Sequence, residues 1–168
     1  MKAKKETNEA LEEVVVALLA KNGLTVTTAE SCTGGLISAT IVNAAGASEV
    51  FNGGFVTYSN KFKKKLIGVK KSTLKKYGAV SKQVAAEMAK GALKEAKADV
   101  AVSATGIAGP GGGTDEKPVG LVYIGCAIKD KVYVEKYNFS GSRREVRENT
   151  TAAALTMIHK YVSNAYNK

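Results

Sequence analysis

The stretch that decides the fold is residues 24–46, LTVTTAESCTGGLISATIVNAAG. Leu24 to Thr28 is rich in β-branched side chains and predicts a short strand. The following run, AESCTGG at 29–35, predicts a tight glycine-bearing loop, and an apolar helix then begins at Leu36 and closes at Gly46. A strand that passes through a tight loop into a helix indicates an α/β fold.

The rest of the chain alternates in the same way and ends in a hairpin. The predicted elements are helices over 8–22, 82–97 and 142–162, short lysine-bearing helices that end at Gly78, and strands over 51–59, 99–105, 119–128 and 132–139. Ser142 and Glu145 form a capping box at the start of the last helix. Early alternation and a late hairpin predict a mixed sheet covered on both faces, which is a single three-layer α/β/α domain over residues 1–168.

Composition excludes several classes of protein. No apolar run reaches the roughly 18 residues of a membrane helix, and the lysines at the N-terminus lead into an acidic segment rather than a signal peptide. We therefore expect a cytoplasmic protein that does not bind membranes. Cys32 and Cys126 are far apart and His159 is the only histidine. These counts argue against a disulfide framework, a metal site and a histidine-based triad, so a hydrolytic serine needs another base.

The formal net charge is +10, and eight lysines fall between positions 61 and 76. Such a cluster can follow a nucleic-acid backbone. However, the segment has no arginine, and its aromatic residues Phe62 and Tyr77 are scattered rather than alternating as in a base-stacking surface. We therefore favour a solvated lysine-rich surface that attracts a small anion, and we expect no nucleic-acid partner.

Ser31 stands where the predicted strand turns into a helix. A nucleophile at such a turn is held out of the sheet, close to free backbone N–H groups. The N–H groups of Cys32, Thr33 or Gly34 are expected to stabilise an oxyanion. Two alternatives stay open. Serine and threonine also cap helices routinely, and Cys32 is a rival nucleophile because helix N-termini favour thiolates.

The run Tyr58-Ser59-Asn60-Lys61-Phe62-Lys63 offers the missing base. Without a histidine, a lysine or a tyrosine is the plausible partner of a serine nucleophile. A lysine has a pKa of about 10.4 in water and must be desolvated, or placed beside other cations, to act as a base. The alternative is that Tyr58 is an ordinary strand-end aromatic and Lys63 a surface charge.

A polar glycine loop follows the strand that ends at Thr105. It reads GIAGPGGG over 106–113, and α/β sheets commonly bind ligands at the carboxyl ends of their strands. The loop matches neither the Walker phosphate loop nor the dinucleotide-binding fingerprint. A ligand-binding loop and a plain flexible connection are both compatible with this pattern.

All three arginines fall in the first turns of the last helix, at Arg143, Arg144 and Arg147. Arginine forks suit phosphate and carboxylate, and a helix N-terminus adds backbone donors. Arg143 and Arg147 are four residues apart and share one helix face. The cluster is either a phosphate clamp or a salt-bridging surface.

Five motifs together resemble one known family. They are TTAESCTGG at 27–35, GGFVTYSNKFKKKLIGV at 53–69, GAVS at 78–81, SATGIAGPGGGTDEKPVG at 103–120 and GSRREVR at 141–147. Their content and order closely resemble the CinA C-terminal domain family, which includes stand-alone nicotinamide mononucleotide deamidases. The resemblance covers about residues 9–160.

The resemblance implies hydrolysis of the carboxamide of nicotinamide mononucleotide to nicotinate mononucleotide and ammonia, in pyridine-nucleotide recycling and without a metal or organic cofactor. It implies that Ser31 is the nucleophile, and that Tyr58 and Lys63 of the YSNxxK pattern activate it. Lys61 is an additional lysine within that pattern. The base therefore stays open among Lys63, Lys61 and Tyr58.

The glycine loop and the arginines are expected to hold ribose and phosphate. The residues predicted to contact the substrate are Glu30, Cys32, Thr33, Gly34, Lys61, Thr105, Gly106, Gly109, Arg143 and Arg147. We expect a nucleotide substrate and a homo-oligomer. Two competing hypotheses are a non-catalytic nucleotide-binding module of the same family and a basic nucleic-acid binder.

Overall fold

The structure is a computed structural model that describes residues 9–166. In chain order the elements are α1 (Leu11–Lys21), β1 (Val26–Glu30), α2 (Leu36–Ile41), α3 (Ala47–Val50), β2 (Phe55–Val56), α4 (Asn60–Ile67), α5 (Lys71–Tyr77), α6 (Lys82–Ala96), β3 (Val100–Gly106), β4 (Leu121–Ile128), β5 (Lys131–Asn138) and α7 (Arg143–Tyr166). The predicted start of the first helix at residue 8 lies outside the described residues.

The five strands form one mixed sheet in the order β2-β1-β3-β4-β5. β2 and β3 both run parallel to β1, whereas β4 is antiparallel to β3 and β5 to β4. The mixed sheet predicted from the sequence is confirmed. Because β2, β1 and β3 are parallel, the loops that follow them leave the same edge of the sheet, where α/β proteins commonly bind ligands.

Helices cover both faces of the sheet. Successive residues of β3 point to opposite faces, so Val102 packs with α1, α2, α3 and α7, whereas Ala101 packs with α6. Ile67 of α4 joins the second of these cores. β1 is buried along its whole length because it is covered on both sides. The three-layer α/β/α architecture is therefore confirmed.

The predicted strand over 51–59 is wrong in extent. Only Phe55–Val56 pairs with β1 as a strand. Gly53 accepts a hydrogen bond at its carbonyl from the Thr27 hydroxyl at 2.8 Å, and a Cβ on Gly54 would overlap Thr28 Oγ1. The position of Gly54 therefore has no room for a side chain, and such close approach is a common reason for glycine in or beside a strand.

Two further boundaries differ from the predictions. β1 continues past Thr28 to Glu30, because it pairs with β3 on one side and β2 on the other up to that residue. The helix predicted to close at Gly46 ends instead at Ile41. Gly46 has φ of 81° and precedes the separate short helix α3.

The predicted start of the last helix is confirmed. The Ser142 backbone N–H donates to Glu145 Oε2 at 2.7 Å, and the Glu145 N–H donates to Ser142 Oγ at 3.3 Å. This reciprocal pair is the predicted capping box. The box fixes the first turn of α7, which carries the three arginines, and the helix continues past the predicted end at residue 162 to Tyr166.

Within residues 9–166, no helix is both long and apolar enough to cross a membrane. The same part of the chain contains no group of three His, Cys, Asp or Glu residues arranged to hold a metal ion.

Candidate active site

Ser31 follows β1 directly and begins the loop that leads into α2. Its backbone N–H donates to the carbonyl of Ala104 in β3 at 3.0 Å, which ties the loop to the neighbouring strand. The side chain is 9% exposed. Ser31 is therefore held at the edge of the sheet with restricted access to solvent.

Glu30, the last residue of β1, connects β1 to the start of α2 through its carboxylate. Its side chain is fully buried, and Oε2 accepts hydrogen bonds from the N–H groups of Gly35 and Ile37 at 2.9 and 3.0 Å. Oε1 accepts from the Ser38 N–H at 2.8 Å and from the Ser38 hydroxyl at 2.7 Å. A carboxylate at the N-terminus of α2 satisfies donors that the helix leaves free, so Glu30 fixes where α2 begins relative to β1.

Lys63 reaches the serine from α4 and is only 1% exposed. Its Nζ lies 2.8 Å from Ser31 Oγ, 2.8 Å from the Thr57 carbonyl oxygen and 3.3 Å from the Tyr58 carbonyl oxygen. The Thr57 N–H in turn donates to the Glu30 carbonyl at 2.8 Å. The amine is thus held beside Ser31 by backbone carbonyls of a segment that is hydrogen-bonded to the end of β1.

Lys63 differs from the lysines around it. Among residues 9–166, no carboxylate forms an ion pair with Lys63, and the remaining seven lysines between positions 61 and 76 are exposed. Ser59 caps α4 by accepting a hydrogen bond from the Phe62 N–H at 3.2 Å. Lys63 and Ile67, four residues apart, share the inner face of α4. Lys61, the other lysine of the pattern, is exposed.

Burial shifts the pKa values of Lys63 and Cys32 in opposite directions. Desolvation of the Lys63 ammonium lowers its pKa to about 8. Desolvation raises the pKa of the Cys32 thiol to about 11. At neutral pH the thiol is therefore protonated and a poor nucleophile. The pKa of Lys63 lies close to neutral pH, so part of the amine is uncharged and able to accept a proton.

Ser31 and Lys63 face a cavity of about 210 Å³ at the edge of the sheet formed by the carboxyl ends of the parallel strands. The cavity is lined by Ser31, Cys32, Tyr58, Asn60, Lys63, Ala79, Val80, Thr105, Gly106, Ala108 and Arg143. The wall opposite Ser31 comes from the end of β3 and from the segment before α6. Thr105 Oγ1 joins these two by donating to the Ala79 carbonyl at 2.8 Å.

Arg143 closes one side of the cavity. Its Nη1 donates to the Gly109 carbonyl at 2.8 Å, and its Nη2 donates to Tyr58 Oη at 3.0 Å. The Tyr58 side chain is 61% exposed. Arg143 therefore connects the glycine loop after β3 with the aromatic residue after β2, and these three residues form the mouth of the site.

Comparison with known proteins identifies the family of this chain. The CinA C-terminal domain matches residues 8–162 of this chain. The chain belongs to the CinA C-terminal domain family. A CinA-like protein of Kosmotoga olearia is 53% identical over 152 residues, which are 90% of this chain and 37% of the relative. The chain spans less than two fifths of the length of the first curated relatives that it matches.

Solved structures of similar length share the fold. The competence/damage inducible protein CihA from Agrobacterium tumefaciens is 44% identical, with a TM-score of 0.87 over 89% of this chain and 92% of that chain. A CinA superfamily protein from Escherichia coli is 36% identical, with a TM-score of 0.88 over 96% of this chain and 94% of that chain. The architecture described above is thus the architecture of CinA superfamily proteins.

The structure brings together about half of the residues predicted for the site. Those that line the cavity are Ser31, Cys32, Tyr58, Lys63, Thr105, Gly106 and Arg143. Those that do not line it are Glu30, Thr33, Gly34, Lys61, Gly109 and Arg147. Gly109 meets Arg143 through its carbonyl, and Glu30 is turned towards α2. His159 lies on α7 and does not line the cavity either.

Four cavity residues were not predicted as site residues, namely Asn60, Ala79, Val80 and Ala108. Asn60 lies inside the YSNxxK pattern, which offered a clue to its position. Ala79, Val80 and Ala108 lie within the quoted motifs GAVS at 78–81 and SATGIAGPGGG at 103–113, but they are small apolar residues without chemistry of their own, so the motifs did not single them out.

The three N–H groups predicted as oxyanion donors differ in whether they are already hydrogen-bonded. Gly34 N–H donates to the Ser31 carbonyl at 3.2 Å and is therefore already occupied. The N–H groups of Cys32 and Thr33 have no acceptor within the part of the chain that the structure describes. Both groups lie close to Ser31 in the chain, where N–H donors can stabilise an oxyanion, and of the two residues Cys32 lines the cavity.

Proposed function

We propose that this protein hydrolyses the carboxamide of nicotinamide mononucleotide to nicotinate mononucleotide and ammonia, with Ser31 as nucleophile and Lys63 as its base. The supporting observation is the buried Lys63 amine, which lies 2.8 Å from Ser31 Oγ without a carboxylate partner among residues 9–166. The choice of substrate follows from the family resemblance of the five motifs.

The surroundings of Lys63 suit a general base. A neutral amine has two N–H donors and one lone pair, whereas an ammonium has three donors. The carbonyls of Thr57 and Tyr58 can accept the two N–H bonds, which leaves the lone pair directed at Ser31 Oγ. With a pKa of about 8, roughly a tenth of the amine is neutral at pH 7 and about half at pH 8.

The reaction proceeds in two stages. Ser31 Oγ attacks the amide carbon while its proton passes to Lys63, and the resulting oxyanion is stabilised by the N–H groups of Cys32 and Thr33. Lys63 then gives its proton to the amide nitrogen, the C–N bond breaks and ammonia leaves. In the second stage Lys63 takes a proton from water, whose oxygen attacks the ester carbon. Lys63 then returns this proton to Ser31 Oγ as the ester bond breaks, and the released carboxylic acid loses its own proton to solvent.

Tyr58 acts at two points in this proposal. Its backbone carbonyl holds the Lys63 amine, and its phenol is directed by Arg143 towards the mouth of the cavity. Tyr58 therefore positions the base and contacts the substrate, whereas proton transfer is carried by Lys63.

Arg143 is the proposed contact for the phosphate. It lines the same cavity as Ser31, and a guanidinium binds phosphate well. The glycine loop contributes Gly106 to the cavity and Gly109 to the position of Arg143. The net charge of +10 favours the approach of an anionic nucleotide.

The decisive experiment measures ammonia released from nicotinamide mononucleotide by the wild type, Ser31→Ala and Cys32→Ala. We expect Ser31→Ala to lose roughly 10⁴-fold or more in kcat while it still binds the nucleotide. Cys32→Ala should stay active, because the protonated thiol has no role in the reaction. Activity that is retained in Ser31→Ala, or lost only in Cys32→Ala, would contradict the nucleophile assignment. Nucleotide binding by the wild type without ammonia release would instead support a non-catalytic module.

A further inference from the structure

Arg147 faces the nucleophile loop rather than the cavity. Its Nε donates to the Cys32 carbonyl at 3.1 Å, and its Nη2 donates to the Thr33 carbonyl at 2.7 Å. One guanidinium on α7 thus holds two successive carbonyls of the loop that carries Ser31. These contacts differ from those expected of a phosphate clamp.

Peptide geometry defines what these contacts do to the loop. In a trans peptide the C=O and the following N–H point in opposite directions. The carbonyls of Cys32 and Thr33 point to Arg147, so the N–H groups of Thr33 and Gly34 point away from it. The Gly34 N–H shows which side that is, because it donates to the Ser31 carbonyl. The Thr33 N–H points to the same side as the Gly34 N–H, and it has no backbone acceptor among residues 9–166.

We infer that Arg147 is a positioning residue, which orients and polarises the Cys32–Thr33 peptide so that the Thr33 N–H meets the oxyanion. This inference rests on the proposed function of Ser31. A guanidinium at the carbonyl end of a peptide draws electron density towards that oxygen and makes the N–H at the other end a stronger donor. Such a donor contributes most when charge develops on the substrate oxygen.

The other two arginines of α7 make different contacts. Arg143 lines the cavity and contacts Gly109 and Tyr58. The Arg144 side chain is 85% exposed and pairs with Glu148 at 2.7 Å. Neither arginine donates to the loop at 31–35. The three guanidiniums therefore offer matched substitutions on one helix.

The expected effect of Arg147→Met falls on kcat. Methionine keeps an unbranched stem but donates no hydrogen bond, so the Cys32–Thr33 peptide is free to rotate. Loss of a single oxyanion donor costs about 10²–10³ in kcat, and we expect a loss of about 10- to 100-fold from misorienting one. The KM should change little, because the hydrogen bond from the Thr33 N–H to the oxyanion forms only in the transition state. Arg147→Lys should recover only part of the loss, since an ammonium lacks the planar fork that spans two carbonyls.

A substrate without phosphate separates this role from phosphate binding. The nucleoside with the same carboxamide, nicotinamide riboside, is compared with the mononucleotide at saturating concentration. A positioning role predicts the same fold loss in kcat for both substrates. A loss that appears only in KM and disappears with the nucleoside would overturn the positioning role and assign Arg147 to the phosphate.

Controls keep the test clear of folding effects. Arg144→Met removes an exposed guanidinium from the same helix and should leave kcat unchanged. Thermal unfolding is measured for every variant, and Arg147→Lys carries the same test if the methionine variant does not fold. Addition of methylguanidine to Arg147→Ala should restore part of kcat, whereas methylammonium should not. Unchanged kcat in Arg147→Lys and Arg147→Met would refute the inference, and a wild type that releases no ammonia would refute it together with the proposed function.

Discussion

Two ionisable side chains in this molecule, Glu135 and Lys63, differ in how their charges are compensated by neighbouring groups. Glu135 on β5 accepts hydrogen bonds from Lys160 Nζ at 2.8 Å, Tyr161 Oη at 2.6 Å and Tyr137 Oη at 2.5 Å. Lys63 is more deeply buried, yet within the described residues 9–166 its Nζ hydrogen-bonds only to carbonyl oxygens and to the Ser31 hydroxyl. The Glu135 carboxylate is compensated by Lys160 and two tyrosines, whereas the Lys63 amine has no counter-ion in that part of the chain.

The pKa values follow from this difference. Burial alone would raise the pKa of Glu135, but the hydrogen bonds from Lys160, Tyr137 and Tyr161 outweigh it and lower the pKa to about 2. For Lys63, burial is the main effect and lowers the pKa to about 8. A compensated carboxylate keeps its charge and stabilises the fold. An uncompensated amine is brought to a pKa at which it can exchange a proton, which is typical of a catalytic group.

Substitution of Lys63 tests the comparison most strongly. Lys63→Met should lower kcat by roughly 10²- to 10⁴-fold, because the general base is removed. The free energy of unfolding should change little, because the loss of the hydrogen bonds to Nζ offsets the removal of a buried amine that has no carboxylate partner among residues 9–166. Ammonia release and urea unfolding measure the two effects. Lys61→Met is the matched control in the same helix and should remain active; a comparable loss in that variant would contradict the assignment of the base to Lys63.

The pH dependence of kcat/KM is expected to show the next largest effect. Lys63 acts in its neutral form, so kcat/KM should rise with pH and level off above a pKa of about 8. Below that value it should fall by about tenfold per pH unit. Measurements from pH 7 upwards avoid the substrate phosphate, whose second pKa is about 6. A flat profile between pH 7 and 9 would show that no group with the properties of Lys63 limits the reaction.

Glu135→Gln should have the smallest effect and only on stability. Glutamine cannot accept all three hydrogen bonds, so the free energy of unfolding should drop by about 1–2 kcal/mol at neutral pH. The stabilisation by a carboxylate with a lowered pKa is present above its usual value of 4.5 and is lost as the pH falls towards 2. The difference between variant and wild type should therefore shrink over that range in urea unfolding. A loss of activity at pH 8 would show that Glu135 and Lys63 are coupled.

Much of the fold could be predicted from the sequence because it is encoded locally. The β-branched run of β1, the glycine loop after it and the capping box at Ser142 each determine the structure of their own segment. The extent of β2 could not be predicted in this way. Gly54 packs against Thr28, which is a contact between distant parts of the chain, and only Phe55–Val56 pairs with β1 as a strand.

The candidate site was predictable in part for a similar reason. Residue types and motif order pointed to Ser31 and Lys63, but Lys61 and Lys63 have the same side chain and lie two positions apart. The burial of Lys63 depends on how α4 is rotated against the core. Helical spacing gave one usable indication, since Lys63 is four residues before the buried Ile67. No local pattern reveals that the Arg147 guanidinium meets the carbonyls of a loop more than 100 residues earlier.

The absence of a side chain at Gly54 has a consequence for the reaction itself. A Cβ at this position would overlap Thr28 Oγ1 and lie 2.8 Å from Ser38 Oγ, two hydroxyls that hydrogen-bond to each other. The segment after β2 carries the Thr57 and Tyr58 carbonyls, and α4 begins directly afterwards with Lys63 in its first turn. A side chain at Gly54 would therefore push against β1 and α2 and displace the segment that holds Lys63 Nζ beside Ser31 Oγ. A residue without a side chain thus helps to keep these two groups within hydrogen-bond distance.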